Sequence, residues 1–104
     1  MNKITENIEK WAIDRKLDVA DPFKQALKLG EEFGELCQGL AKDNQEQVYD
    51  SIGDMYVVLT ILSKQLGTSI EACSAMAYEE IKDRKGQMVN GIFVKESDLM
   101  EVEK

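Results

Sequence analysis

Six apolar residues, Val48, Ile52, Met55, Leu59, Leu62 and Leu66, step along the middle of this chain at intervals of 4, 3, 4, 3 and 4. That spacing draws one line down a helix of roughly six turns. Val57, Val58 and Ile61 fill the gaps in its second half, so the helix is apolar nearly all round and must be buried on several sides. A chain of 104 residues has room for one core, and its other segments cannot cover such a helix completely. The pattern predicts an all-α fold, a four-helix bundle completed by a second copy, as a homodimer or homotetramer.

The other helices follow from their own signals, in a single domain over 1–104. Residues 1–20 hold an N-terminal helix from about Asn2 to Lys16, with Ile4, Ile8 and Trp11 at helical spacing, and a loop. Residues 21–86 hold three helices. Asp21 as N-cap and Pro22 at the first position open one of them. Ala26, Leu29, Phe33, Leu36 and Leu40 line it, and it ends near Asp43. The central helix runs from Gln45 to Leu66 and stops at Gly67. Thr68 to Glu71 reads as a capping box for the last. That helix turns Ile70, Cys73, Ala77 and Ile81 inward and ends at Gly86. The tail, 87–104, contains an Asn90-Gly91 turn between short extended flanks.

Composition removes several classes of chemistry. There is no histidine, which excludes Ser-His and Cys-His nucleophiles, Cys₂His₂ zinc and di-iron sites built on Glu-x-x-His. Cys37 and Cys73, far apart in helical patterns, read as reduced buried thiols. A net charge of −7 disfavours contact with nucleic-acid backbones. No apolar run approaches the ~20 residues of a membrane span. The polar start from Met1 to Glu6 has no signal-peptide core, and a cytoplasmic protein is expected.

Two acidic clusters remain, each broken by a glycine. One is Glu31, Glu32, Phe33, Gly34, Glu35; the other is Asp50, Ser51, Ile52, Gly53, Asp54. Carboxylates three and four residues apart share one face of a helix. Two such faces turned together gather like charges that require a cation, and a hard divalent ion with oxygen ligands suits them. Asp54 stands directly before Met55 to Leu59, where the helix buries itself, and a buried carboxylate needs a partner or a metal. Glycine inside a helix costs about 1 kcal/mol relative to alanine. Gly34 and Gly53 therefore point to a close helix approach or to room for a ligand. The alternative is a solvated acidic face, with Lys24 and Lys28 as salt-bridge partners one turn away.

The first cluster, with its flanks Lys24 to Leu36, and the second, Asp50 to Leu59, resemble the two motifs of the MazG-like all-α nucleotide pyrophosphohydrolases, written E-E-x-x-E and E-x-x-D. Glu80 to Gly91 also resembles small phage-type members, and the likeness covers roughly residues 20 to 94. It implies a MazG-like bundle with Glu32, Glu35 and Asp54 as Mg²⁺ ligands and Mn²⁺ as a substitute. Glu31 matches the first motif acid, an outer ligand or a guide for the attacking water. Where the motif has its second-helix acid this chain has Ser51, and Asp50 is expected to replace it as a metal ligand.

The resemblance implies a hydrolase that cleaves nucleoside triphosphates to the monophosphate and pyrophosphate. Its catalytic residues are Glu31, Glu32, Glu35 and Asp54. Lys28, Lys82, Arg84 and Lys85 are candidates for phosphate contacts, and Gln25, Trp11 and Asn90 for base recognition. A second reading is a non-catalytic helical dimer that binds a nucleotide or a protein partner. A third is a metal-free adaptor with an acidic surface.

Overall fold

Short polar side chains open four of the helices in the computed structural model, which describes residues 2–102, with side chains described through Leu99. Met1, and the expected tail residues Glu103 and Lys104, lie outside the described residues. The Asn2 side chain accepts from the Ile4 N–H (2.8 Å) and starts α1, Lys3–Asp14. A 3₁₀ turn, Leu17–Val19, follows. Asp21 accepts from the Phe23 N–H (2.9 Å) and, with Pro22, starts α2, Pro22–Ala41. Asn44 caps α3, Gln45–Gln65, through the Gln47 N–H (3.2 Å). Ser69 caps α4, Ile70–Ile81, through the Ala72 N–H (3.1 Å). The cap is therefore Ser69, one residue later than a Thr68–Glu71 box requires. Strands β1, Gly86–Val89, and β2, Ile92–Lys95, precede α5, Glu96–Val102. The fold is mostly helical, and no helix of the described residues is long and apolar enough to cross a membrane.

The chain divides into two compact units, residues 1–73 and 74–104, with α4 beginning in the first and ending in the second. In the first unit α2 and α3 form the principal pair, while α1 and the 3₁₀ turn lie against α3. The α2–α3 turn is short because Asp43 adopts the left-handed conformation (φ 54°), which Asp and Asn tolerate. The Asn44 N–H then reaches the Gly39 carbonyl at 2.9 Å and closes α2. Gly39 is the close approach of the two helices. A Cβ there would meet Val48 Cγ2 at 3.1 Å and the Val48 nitrogen at 3.2 Å. Gly34 and Gly53, expected to serve this purpose, face open space.

The buried line of α3 also differs from the expected one. Ser51, Val58, Thr60, Ile61 and Ser63 are buried, whereas Ile52 and Leu66 are 55% and 63% exposed. Periodicity cannot choose the packed face of a helix that is apolar all round. Here α2 and α1 select the side carrying small hydroxyl residues, which admit close neighbours. Thr60 and Ser63 satisfy their hydroxyls on the carbonyls of Tyr56 and Thr60, each at 2.8 Å. The Thr5 hydroxyl and Tyr56 phenol, 2.6 Å apart, tie α1 to α3. The Gln65 amide donates to the Leu17 carbonyl at 2.9 Å and holds the 3₁₀ turn. The fully buried apolar side chains among the described residues are Ala12, Val58 and Ile61.

In the second unit, Asn90 and Gly91, both with positive φ, make the expected turn. The strands pair antiparallel, Gly86 with Lys95 through Val89 with Ile92, and α5 packs on both. The fourth helix ends at Ile81 rather than at Gly86. Glycine at 86 belongs to the hairpin, where a Cβ would strike the Val94 carbonyl and the Phe93 ring. The residues expected to face inward from α4 are not buried: Cys73, Ala77 and Ile81 are exposed and Ile70 is intermediate. Both cysteines are exposed rather than buried, as free thiols. Helix α5 is an addition to the expected tail, with Glu96 and Asp98 at the end of a helix that favours acids.

Candidate metal centre

The site lies on the α2–α3 pair, where the two acidic clusters meet. One oxygen each of Glu32, Glu35 and Asp54 can be chosen so that all three lie within 4.8 Å of one another. The spacing of Glu32 and Glu35 puts both on one face of α2, and Asp54 comes from α3. A second tether holds the helices in register. The Gln47 amide on α3 donates to the Glu35 carbonyl (2.9 Å) and to Gln38 Oε1 (3.0 Å).

Glu32 is the unusual member. It is 8% exposed, while Glu35 and Asp54 are exposed. Burial above all, then the charges of Glu35 and Asp54, pushes its carboxyl above the usual carboxylate range. The Lys28 ammonium, 3.8 Å from Glu32 Oε1, opposes that shift, but Lys28 is largely solvated. Glu32 Oε2 is buried with no hydrogen-bond donor. A buried carboxylate oxygen without a donor, beside two further carboxylates, is the donor set a hard cation fits.

Beside the cluster lies an open cavity of ≈ 330 Å³, lined by Glu35, Asn44, Glu46, Gln47, Asp50, Ser51 and Asp54. Asp50 borders this cavity but stands outside the three-carboxylate group. Ser51 borders it too and is 2% exposed. Gln47, Asn44 and Glu46 were not anticipated. The signal was available for Gln47, which precedes Asp50 by three residues and Ser51 by four and so shares their stripe. A larger cavity, ≈ 440 Å³, opens at the α2–α3 turn around Gly39, Leu40 and Tyr49 and contains none of the three clustered carboxylates.

The remaining expected residues lie as follows. Glu31 is exposed on α2. The Gln25 amide, half-buried, donates to the Val58 carbonyl at 3.4 Å. On α1 the Arg15 guanidinium stacks 4.2 Å over the Trp11 ring. Lys82, Arg84, Lys85 and Asn90 belong to the second unit. There Lys82 pairs with Glu79 at 2.9 Å, the Lys85 carbonyl accepts from the Glu96 N–H at 2.8 Å, and Asn90 forms the hairpin turn.

No protein-family model and no solved structure matches the chain. Residues of this chain are similar to the uncharacterised 18.2 kDa protein in the rep-hol intergenic region of Haemophilus phage HP1 (strain HP1c1). The two are 52% identical over 66 residues, 62% of this chain and 40% of the phage protein. The match thus spans about two fifths of that relative's length.

Proposed function

We propose that this chain is a Mg²⁺-dependent nucleoside triphosphate pyrophosphohydrolase of the MazG-like type. The observation that carries the reading is the cluster of Glu32, Glu35 and Asp54 within 4.8 Å, with Glu32 Oε2 buried and without a donor. Glu32, Glu35 and Asp54 would hold the ion, with Asp50 at the edge of the same cavity and Mn²⁺ as a substitute. Bound there, a divalent ion supplies charge neutralisation between an acidic site and a polyphosphate, and a lower pKa for bound water.

The chain's own residues do the rest. Glu31, four residues before Glu35 and on its side of α2, orients the attacking water. The water oxygen bonds to phosphorus, the bond to the departing pyrophosphate breaks, and the water's proton passes to the carboxylates or to solvent. No protein nucleophile is needed, in keeping with a chain that has no histidine. Lys28, beside Glu32, is the first-unit candidate for a phosphate contact. Assignment of Lys82, Arg84, Lys85, Gln25 and Asn90 to phosphate or base contacts rests on the family resemblance.

Self-association belongs to the same reading. Phe23, Leu27, Phe33, Ile52 and Leu66 stand 54–81% exposed on α2 and α3. Such helices need an apolar cover, and a second copy, as dimer or tetramer, supplies it. The lack of charge at Ser51 favours one alternative, a non-catalytic helical dimer that binds nucleotide.

The test is pyrophosphate release from a panel of ribo-, deoxyribo- and modified nucleoside triphosphates in millimolar Mg²⁺, with EDTA as control. Mg²⁺-dependent release from any member supports the enzyme. Silence across the panel from folded protein rejects it in favour of the binding dimer.

A further inference from the structure

Three buried hydroxyl side chains sit on α3, and they are not treated alike. Thr60 and Ser63 are satisfied by carbonyls of their own helix. Ser51 is 2% exposed, yet its side chain takes part in no hydrogen bond among the described residues. It lines the acidic cavity with Glu35, Asp50 and Asp54, one helical turn before Asp54. A buried hydroxyl left unbonded loses the desolvation energy that a partner would return. The neighbouring Glu32 Oε2 is buried without a donor as well. Two polar groups of different chemistry therefore lack partners on one side of the α2–α3 pair. One species able to serve both is a cation, which accepts lone pairs from a hydroxyl and a carboxylate alike.

We infer that the Ser51 hydroxyl is a direct ligand of the cation held by Glu32, Glu35 and Asp54, and that exposed Asp50 acts through water. This rests on the cation-site reading above. A neutral ligand at 51 has a consequence. A fourth carboxylate at so buried a position would add repulsion whenever the ion is absent, whereas a hydroxyl adds none. The cage then holds a free ion weakly and tightens when polyphosphate oxygens complete the coordination. The ion enters together with its nucleotide.

The test uses Mn²⁺ alone, counted by the electron spin resonance signal of the free aquo ion, on full-length protein whose helix content is checked by circular dichroism. Ser51→Ala should weaken Mn²⁺ binding about tenfold, the scale of losing one ligand-sphere partner. Asp50→Asn should weaken it no more than about threefold, as a screened charge. Ser51→Asp should bind Mn²⁺ more tightly than wild type while melting lower in EDTA. A purely structural serine would show no such gain. Wild-type binding that Ser51→Ala leaves unchanged, or a larger loss in Asp50→Asn than in Ser51→Ala, overturns this inference and spares the three-carboxylate site. Absence of Mn²⁺ binding by the wild-type chain overturns both.

Discussion

The Lys28 ammonium lies 3.8 Å from one oxygen of Glu32, while the other oxygen of the same carboxylate is buried with nothing to donate to it. The ion pair is thus one-sided. An exposed lysine contributes little across a solvated gap, and the buried oxygen keeps its desolvation cost.

Stability without metal should therefore depend on pH through Glu32. Its folded pKa is raised, so the folded state binds the proton more tightly than the unfolded chain. The contribution is fully present below the ordinary carboxylate range and is lost as pH rises through the raised value. In EDTA, wild type should melt progressively lower than Glu32→Gln as the pH climbs. At pH 8 the glutamine variant should be more stable by about 1 kcal/mol. A melting difference that does not change between pH 4 and pH 8 would contradict the assignment. With Mg²⁺ the order reverses, because only the wild-type site gains from the ion, and acid weakens that gain by competition.

Glu35→Gln and Asp54→Asn should each remove Mg²⁺-dependent pyrophosphate release by at least about a hundredfold, within the loss expected when metal or electrostatic stabilisation is removed. Both side chains are exposed, so neither change opens a cavity and the helical circular dichroism spectrum should persist. Full turnover in either variant would remove that residue from the site.

The glycines of the α2–α3 pair should separate into two kinds. Gly39→Ala puts a methyl against Val48 and Gln47 at 3.1–3.3 Å and should destabilise by about 1–2 kcal/mol. Gly53→Ala meets nothing within 4 Å and should stabilise by about 1 kcal/mol through helix propensity. Urea titration of both variants measures the difference directly.

Gly86→Ala should loosen the hairpin of the second unit, because the added carbon runs into the Val94 carbonyl and the Phe93 ring. Amide exchange in β1 and β2 should accelerate, while exchange in α2 and α3 stays unchanged. Uniform acceleration throughout the chain would show that the hairpin is not a local unit.

Helix starts and stops were legible wherever one side chain decides them. Asp21 with Pro22, Asn90 with Gly91, and Gly67 at φ 82° act through local backbone preferences that no distant contact overrides. The packed face of α3 was not legible. Its apolar residues lie all round, and the choice between the Ile52 side and the Ser51 side belongs to α1 and α2. Glycines misled for a related reason. Gly34 and Gly53 look significant beside acids, but contact with α3 falls at Gly39, where the short turn brings the helices together. The carboxylate spacing within each cluster was legible. The burial of Glu32 rather than Asp54 was not, since it depends on which helix presents its acid toward the other.

Asn44 serves two helices at once: its backbone N–H closes α2 and its side chain opens α3. The turn it organises is also the loop whose closure brings the three carboxylates together. Contacts across so short a connection have low sequence separation and form cheaply, which suits them to a folding nucleus. The repulsion among Glu32, Glu35 and Asp54 is then met on the way into the transition state. A proton or a divalent ion bound there would act chiefly on the folding limb of a chevron plot, speeding the chain's closure more than it slows its opening.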